Sequence, residues 1–184
     1  MTRMDFSKKI PQSSSTMVVI PAMITTVTEI ENLVEALEVR FLANRKDHLY
    51  FGLLTDFTDA SQETVSGDQV LLDSIKNGIE ALNKKYQREN NDLFFLFHRP
   101  RKWNEQENVW MGYERKRGKL SDLNALLKEI TKQDFSLILG DPSIFPQITF
   151  VITLDEDTQF PLNSAWKVSR PSANRQHGPC PADT

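Results

Sequence analysis

The chain has 184 residues, a formal net charge of −3, 39% hydrophobic and 26% charged residues, which is enough for one ordinary core and too acidic for a generally basic nucleic-acid-coating protein. No run of eighteen apolar residues is present to span a membrane, and the N-terminal "MTRMDFSKKIPQSSS" lacks the apolar stretch of a signal peptide. The lone cysteine, Cys180, sits outside any metal-type spacing, excludes a disulfide framework and fits a reducing compartment.

Residues 1–15 are expected to be a disordered N-terminal segment. "TMVVIPAMIT" (Thr16 to Thr25) predicts a buried strand closed by a proline turn. Ile30, Leu33, Val34, Leu37 and Phe41 recur at helical spacing, and Thr28 with Glu31 has the form of a capping box. "HLYFGLLTDF" (His48 to Phe57) is a second apolar run ending at a carboxylate, Asp56. Leu71, Ile75, Ile79, Leu82 and Tyr86 mark a second amphipathic helix, and "DLFFLFHRP" (Asp92 to Pro100) a third strand ending at Arg99. A polar and aromatic loop, "RKWNEQENVWMGYERKRG", follows. Leu120, Leu123, Leu127 and Ile130 mark a third helix beginning near Gly118-Lys119. "FSLILGD" predicts a short extra strand, and "ITFVITLDED" closes the series. Residues 168–184, rich in Pro and small polar residues, read as a disordered, non-native tail on a domain spanning 16–167.

Strands alternating with helices imply an α/β fold, with a mostly parallel sheet covered by helices on both faces. In open sheets of this kind ligands gather beyond the carboxyl ends of the strands, where Asp56, Arg99 and the Asp155–Glu156–Asp157 cluster fall. If the last strand continued, Asp155 and Asp157 would share a side, about 6.5 Å apart at Cα. Their repulsion would be roughly 2–3 kcal/mol at an effective dielectric near 20. A divalent cation, Mg²⁺ or Mn²⁺, would reverse its sign and could hold a diphosphate. A solvated acidic turn is the simpler reading of the same triplet. An apolar strand running into Asp155-x-Asp157 with Thr158 after it also resembles the Asp-x-Asp-x-Thr nucleophile motif of a phosphatase, but it closes the domain instead of opening it. The basic residues from Arg99 to Lys119, interleaved with Trp103, Trp110 and Tyr113, make a candidate phosphate site at a helix start. A solvated charged loop is the alternative there; His98 is assigned a structural role.

Together "VVIP", "ALEVRFLAN", "FGLLTDFTDA", "FFLFHRPRKWNEQENVWMGYERKRGKLSDLN" and "FVITLDEDTQFP" resemble the glycosyltransferase domain of cyclic β-1,2-glucan synthases, glycosyltransferase family 84, over Thr16 to Lys167. The resemblance implies an incomplete GT-A fold, Rossmann-like and cut at its C-terminus. It implies transfer of glucose from UDP-glucose to a growing β-1,2-glucan, with a metal-assisted UDP leaving group. It assigns Asp56, Arg117, Lys119 and Asp155 to the nucleotide sugar, and Asp155 and Asp157 to Mg²⁺ or Mn²⁺. It places the general base downstream, so that this stretch alone would be inactive. The implied partners are UDP-glucose, a glucan acceptor and the remainder of a longer synthase at the cytoplasmic face of the inner membrane; no nucleic acid is among them, and the stretch itself would be soluble. A non-catalytic carbohydrate- or protein-binding module is the alternative of another class. Tyr113 and Glu156 depart from the family pattern, which has Trp and a small residue there.

Overall fold

A computed structural model describes residues 10–86, 92–128 and 134–156. It is an α/β domain with a Rossmann-like, mostly parallel sheet. The strands are β1 (Thr16–Ile24), β2 (Leu49–Phe57), β3 (Phe94–Arg99), β6 (Leu137–Leu139) and β7 (Phe150–Thr153). Their order is β6-β3-β2-β1-β7, and only β6 runs antiparallel to its neighbour. Helices α1 (Val27–Ala43) and α2 (Asp68–Tyr86) cover one face; α3 (Arg115–Leu127) covers the other.

Alternation along each strand divides the core in two. Val18, Ile20, Phe51, Leu53, Phe94 and Leu96 meet Ile30, Leu37 and Phe41 of α1 and Ile75 and Ile79 of α2. Met17, Val19, Tyr50, Leu54, Phe95 and Phe97 meet Leu123 and Leu126 of α3, with Ile144 and Phe145 from a 3₁₀ segment. Because both faces are covered, all nine residues of β2 are buried, which is why the strand is almost uninterrupted apolar sequence until Thr55 and Asp56.

Several sequence expectations change in detail. Thr26, not Thr28, caps α1: its hydroxyl accepts the Glu29 N–H at 3.2 Å. Pro21 does not close β1 but lies within it. β7 pairs with β1 only from Thr16 to Val19, so the proline sits where β1 has lost its second neighbour and its missing N–H is tolerated. Residues 10–15 are not disordered. Ile10 is buried, a 3₁₀ turn spans Gln12–Ser14, and the Ser15 carbonyl accepts Thr149 N–H at 2.8 Å. The tail from 168 lies outside the described residues. The aromatic loop is in part a hairpin, β4 (Lys102–Asn104) with β5 (Val109–Met111), its Trp103 and Trp110 rings 5.8 Å apart. Two 2.9 Å bonds between Ala60 and Trp110 fasten it to the chain after β2.

Asn83 joins the helical layer to the sheet. Its Oδ1 accepts Leu93 N–H at 3.0 Å and Phe94 N–H at 2.9 Å, and its Nδ2 donates to the Phe94 carbonyl at 2.8 Å. All three bonds are buried. Asn83→Ala is expected to cost about 2–4 kcal/mol, since each orphaned buried group costs ~1 kcal/mol or more. The measurement is urea denaturation; a change under 1 kcal/mol would contradict this role.

Candidate functional site

β1, β2 and β3 end side by side, and the parallel register sets Asp56 between Met23 and Arg99. Arg99 donates to both Asp56 oxygens, Nε to Oδ1 at 2.9 Å and Nη2 to Oδ2 at 3.0 Å. Its Nη1 donates to Asp122 Oδ2 at 2.6 Å, and its Nη2 to the carbonyls of Tyr113 and Arg115 at 3.1 and 3.3 Å. Lys119 Nζ stands 3.2 Å from Asp56 Oδ2 and donates to the Ala22 carbonyl at 2.8 Å. Asp56, Arg99 and Lys119 are only 3%, 4% and 4% exposed. Burial pulls the Lys119 pKa below its usual range, partly offset by Asp56. Burial acts the same way on Arg99, but Asp56 and Asp122 outweigh it and hold that pKa above the usual value.

The turn into α3 builds the other wall. Glu114 and Arg115 adopt left-handed φ values of 51° and 45°, a costly backbone for residues with side chains. Gly112 and Gly118 permit the close packing: a Cβ on Gly112 would lie 2.3 Å from Asp56 Oδ2, and one on Gly118 2.1 Å from the Tyr113 carbonyl. α3 therefore begins at Arg115, three residues before the Gly118-Lys119 start expected from sequence. Gly118 N–H donates to the Glu114 carbonyl at 3.0 Å, so it is occupied within the helix and does not serve as a free phosphate donor.

Between these walls lies a cleft of about 210 Å³, lined by Ala22, Met23, Asp56, Asp59, Gly112, Arg115, Lys116, Lys119 and Glu156, among others. Arg115 is half-exposed and donates to Asp59 Oδ2 at 2.9 Å and Glu107 Oε2 at 3.3 Å. Lys116 reaches from α3 to pair with Asp155 at the rim. β7 ends at Thr153, and the Leu154 N–H donates to Val19 at 3.0 Å. Beyond it Asp155 turns toward α3, while the Glu156 side chain lines the cleft.

The structure thus brings Asp56 and Lys119 into one cleft and Asp155 to its rim. Arg117, with its side chain 88% exposed, points elsewhere and pairs loosely with Glu114. Asp157 lies outside the described residues. Asp59 was not singled out by sequence, and Arg115, Lys116 and Glu156, which belong to the basic stretch and the acidic cluster, were given no individual role at the site. A signal for Lys116 existed in its i, i+3 spacing from Lys119, which places both on one face of α3. Among the described residues no group of three His, Cys, Asp or Glu side chains could hold a metal ion. Mg²⁺, however, is commonly bound by one or two carboxylates with substrate phosphates and waters completing the shell. Asp155 could supply one carboxylate to such a shell; in this structure it pairs with the Lys116 ammonium.

Behind the cleft, His98 is fully buried, with Nδ1 2.9 Å from Thr55 Oγ1 and Nε2 lacking a hydrogen-bond partner among the described residues. Beside it Arg101 pairs with Asp68 at 2.6 Å and lies 4.5 Å over the Phe57 ring. Burial pushes the His98 pKa down to about 4. The imidazole is neutral when folded but takes a proton near pH 6.5 when unfolded. Its contribution is therefore complete above pH 6.5 and falls as pH drops toward 4. Between pH 7 and 4.5 it should account for about 2–3 kcal/mol of lost stability. His98→Gln should remove that share of the slope; parallel wild-type and variant pH profiles in denaturant would refute it.

No family model matches the chain. It is 38% identical over 164 residues, 89% of its length, to cyclic beta-(1,2)-glucan synthase NdvB of Rhizobium meliloti (strain 1021). The chain spans 6% of that protein's length. No helix among the described residues is long and apolar enough to cross a membrane. Likeness of this extent, held across nearly the whole chain, makes it a relative of one segment of a glucan synthase.

Proposed function

We propose that the cleft binds the donor of a glucosyl transfer, a UDP-glucose-type nucleotide sugar, together with Mg²⁺ or Mn²⁺. The chain is then the donor-binding part of a glycosyltransferase of glucan synthesis, its fold a GT-A variant. The observation that carries this reading is the joint arrival of Asp56, Lys119, Lys116 and the Asp155–Glu156 segment at one cleft beyond the strand ends, in a chain related to a glucan synthase.

The roles follow from exposure. Asp56 and Lys119, held rigidly, form the cleft floor that a base and ribose would rest against. Arg115 and Lys116 are half-exposed on the first turn of α3, where cations can pair with the oxygens of a diphosphate. Asp155, with Asp157, would hold the divalent cation, which stabilises negative charge on the departing UDP. Glucose would be passed to a β-1,2-glucan acceptor, with the general base supplied from elsewhere in a longer synthase. UDP-glucose is a cytoplasmic donor, so the domain would work on that side of the inner membrane.

Calorimetry with UDP should give binding that strengthens at least tenfold with Mn²⁺ and is lost with EDTA, Asp155→Ala or Asp157→Ala. Binding indifferent to all three would overturn the assignment. Glucan binding without nucleotide or metal would instead favour a carbohydrate-binding module built on the exposed Trp103.

A further inference from the structure

Arg40 is a buried cation that the reading above does not use. It lies on α1, 8% exposed, among helix residues that otherwise bury apolar side chains against the sheet. Its Nη2 donates to the main-chain carbonyl of Glu156 at 2.5 Å, across 116 positions of sequence. An aliphatic residue would cover this part of the sheet without the cost of desolvating a charge. Burial lowers the Arg40 pKa, with Glu156 acting against that shift.

The place of the acceptor carbonyl matters. Among the described residues the sheet ladder stops at Leu154 N–H on Val19. Asp155 and Glu156 follow it off the end of a four-residue strand that, among the described residues, has a neighbour on one side only. From the α3 face Lys116 holds the Asp155 side chain; from the α1 face Arg40 holds the Glu156 backbone. The lysine is exposed and exchangeable, whereas the arginine is buried and fixed.

Resting on the donor-site reading, we infer that Arg40 is a positioning residue, whose hydrogen bond to the Glu156 carbonyl sets the acidic segment at the cleft so that Asp155 can receive a divalent cation. Its proposed effect on the site runs through the Glu156 carbonyl that it holds.

The test uses the full chain with Arg40→Met and Arg40→Lys, calorimetry of UDP with and without Mn²⁺, and thermal melting. Arg40→Met is expected to weaken Mn²⁺-dependent UDP binding about tenfold, the loss of one charge-assisted hydrogen bond, while UDP binding without Mn²⁺ stays within twofold. Arg40→Lys, which keeps a donor, should recover most of that loss. If Arg40→Met does not melt cooperatively, folded Arg40→Lys decides: retained Mn²⁺ dependence supports the inference and its loss overturns it. Unchanged Mn²⁺-dependent binding in folded Arg40→Met overturns the inference alone. A wild-type chain with no Mn²⁺-dependent UDP binding overturns the donor-site reading beneath it.

Discussion

The carboxylate of Asp56 keeps two cations out of water, and the cleft depends on that. Arg99 and Lys119 are almost fully buried, and a buried charge is tolerated only when it is paired and hydrogen-bonded. Asp56 accepts from both, and Asp122 of α3 accepts from Arg99. Removing one partner from a buried pair of this kind costs about 3–5 kcal/mol, because the other charge remains. The same contacts tie β1 through Ala22, β2 through Asp56, β3 through Arg99 and α3 through Lys119 and Asp122. The glycines at 112 and 118 follow from this arrangement, since side chains there would strike Asp56 and the Tyr113 carbonyl.

That network divides the cations into two kinds. Arg99 is committed to Asp56, Asp122 and two main-chain carbonyls. Moving it toward an incoming anion would undo the joints of the fold. Arg115 and Lys116 are half-exposed, and their ion pairs with Asp59, Glu107 and Asp155 are solvated. Such pairs are worth roughly 0–1 kcal/mol, so exchanging their partners costs little. The residues that can answer a ligand are therefore not those that build its site.

Much of the fold was legible because burial on both faces leaves a plain record. The uninterrupted apolar runs of β2 and β3 and the helical spacing of Ile75, Ile79 and Leu82 each have one sensible placement. The site was legible as far as Asp56, Arg99 and Asp155 stand at strand ends. The start of α3 was not. It depends on left-handed Glu114 and Arg115, conformations that no local propensity favours, and on Gly118 being needed inside the helix for contact with Tyr113. Sequence logic reads a glycine as a helix boundary, and here tertiary packing overrode it. The β4–β5 hairpin was hidden for a related reason: its strands are three residues each and are fastened by Trp110 to Ala60, a partner fifty positions away.

The charge around the cleft bears on what it can accept. Its lining includes three carboxylates, Asp56, Asp59 and Glu156, against three cations, Arg115, Lys116 and Lys119, and Asp155 at the rim adds a further negative charge. A diphosphate entering alone meets no surplus of positive charge. Asp155 and Glu156 are both exposed, so they oppose the approach of an anion only weakly, through solvent-screened repulsion. A divalent cation held by Asp155 would offset that repulsion, and Lys116, which pairs with Asp155 here, would then be available to an anion. The near balance of charge around this cleft is thus the electrostatic ground for proposing that an anion would bind there together with a divalent cation.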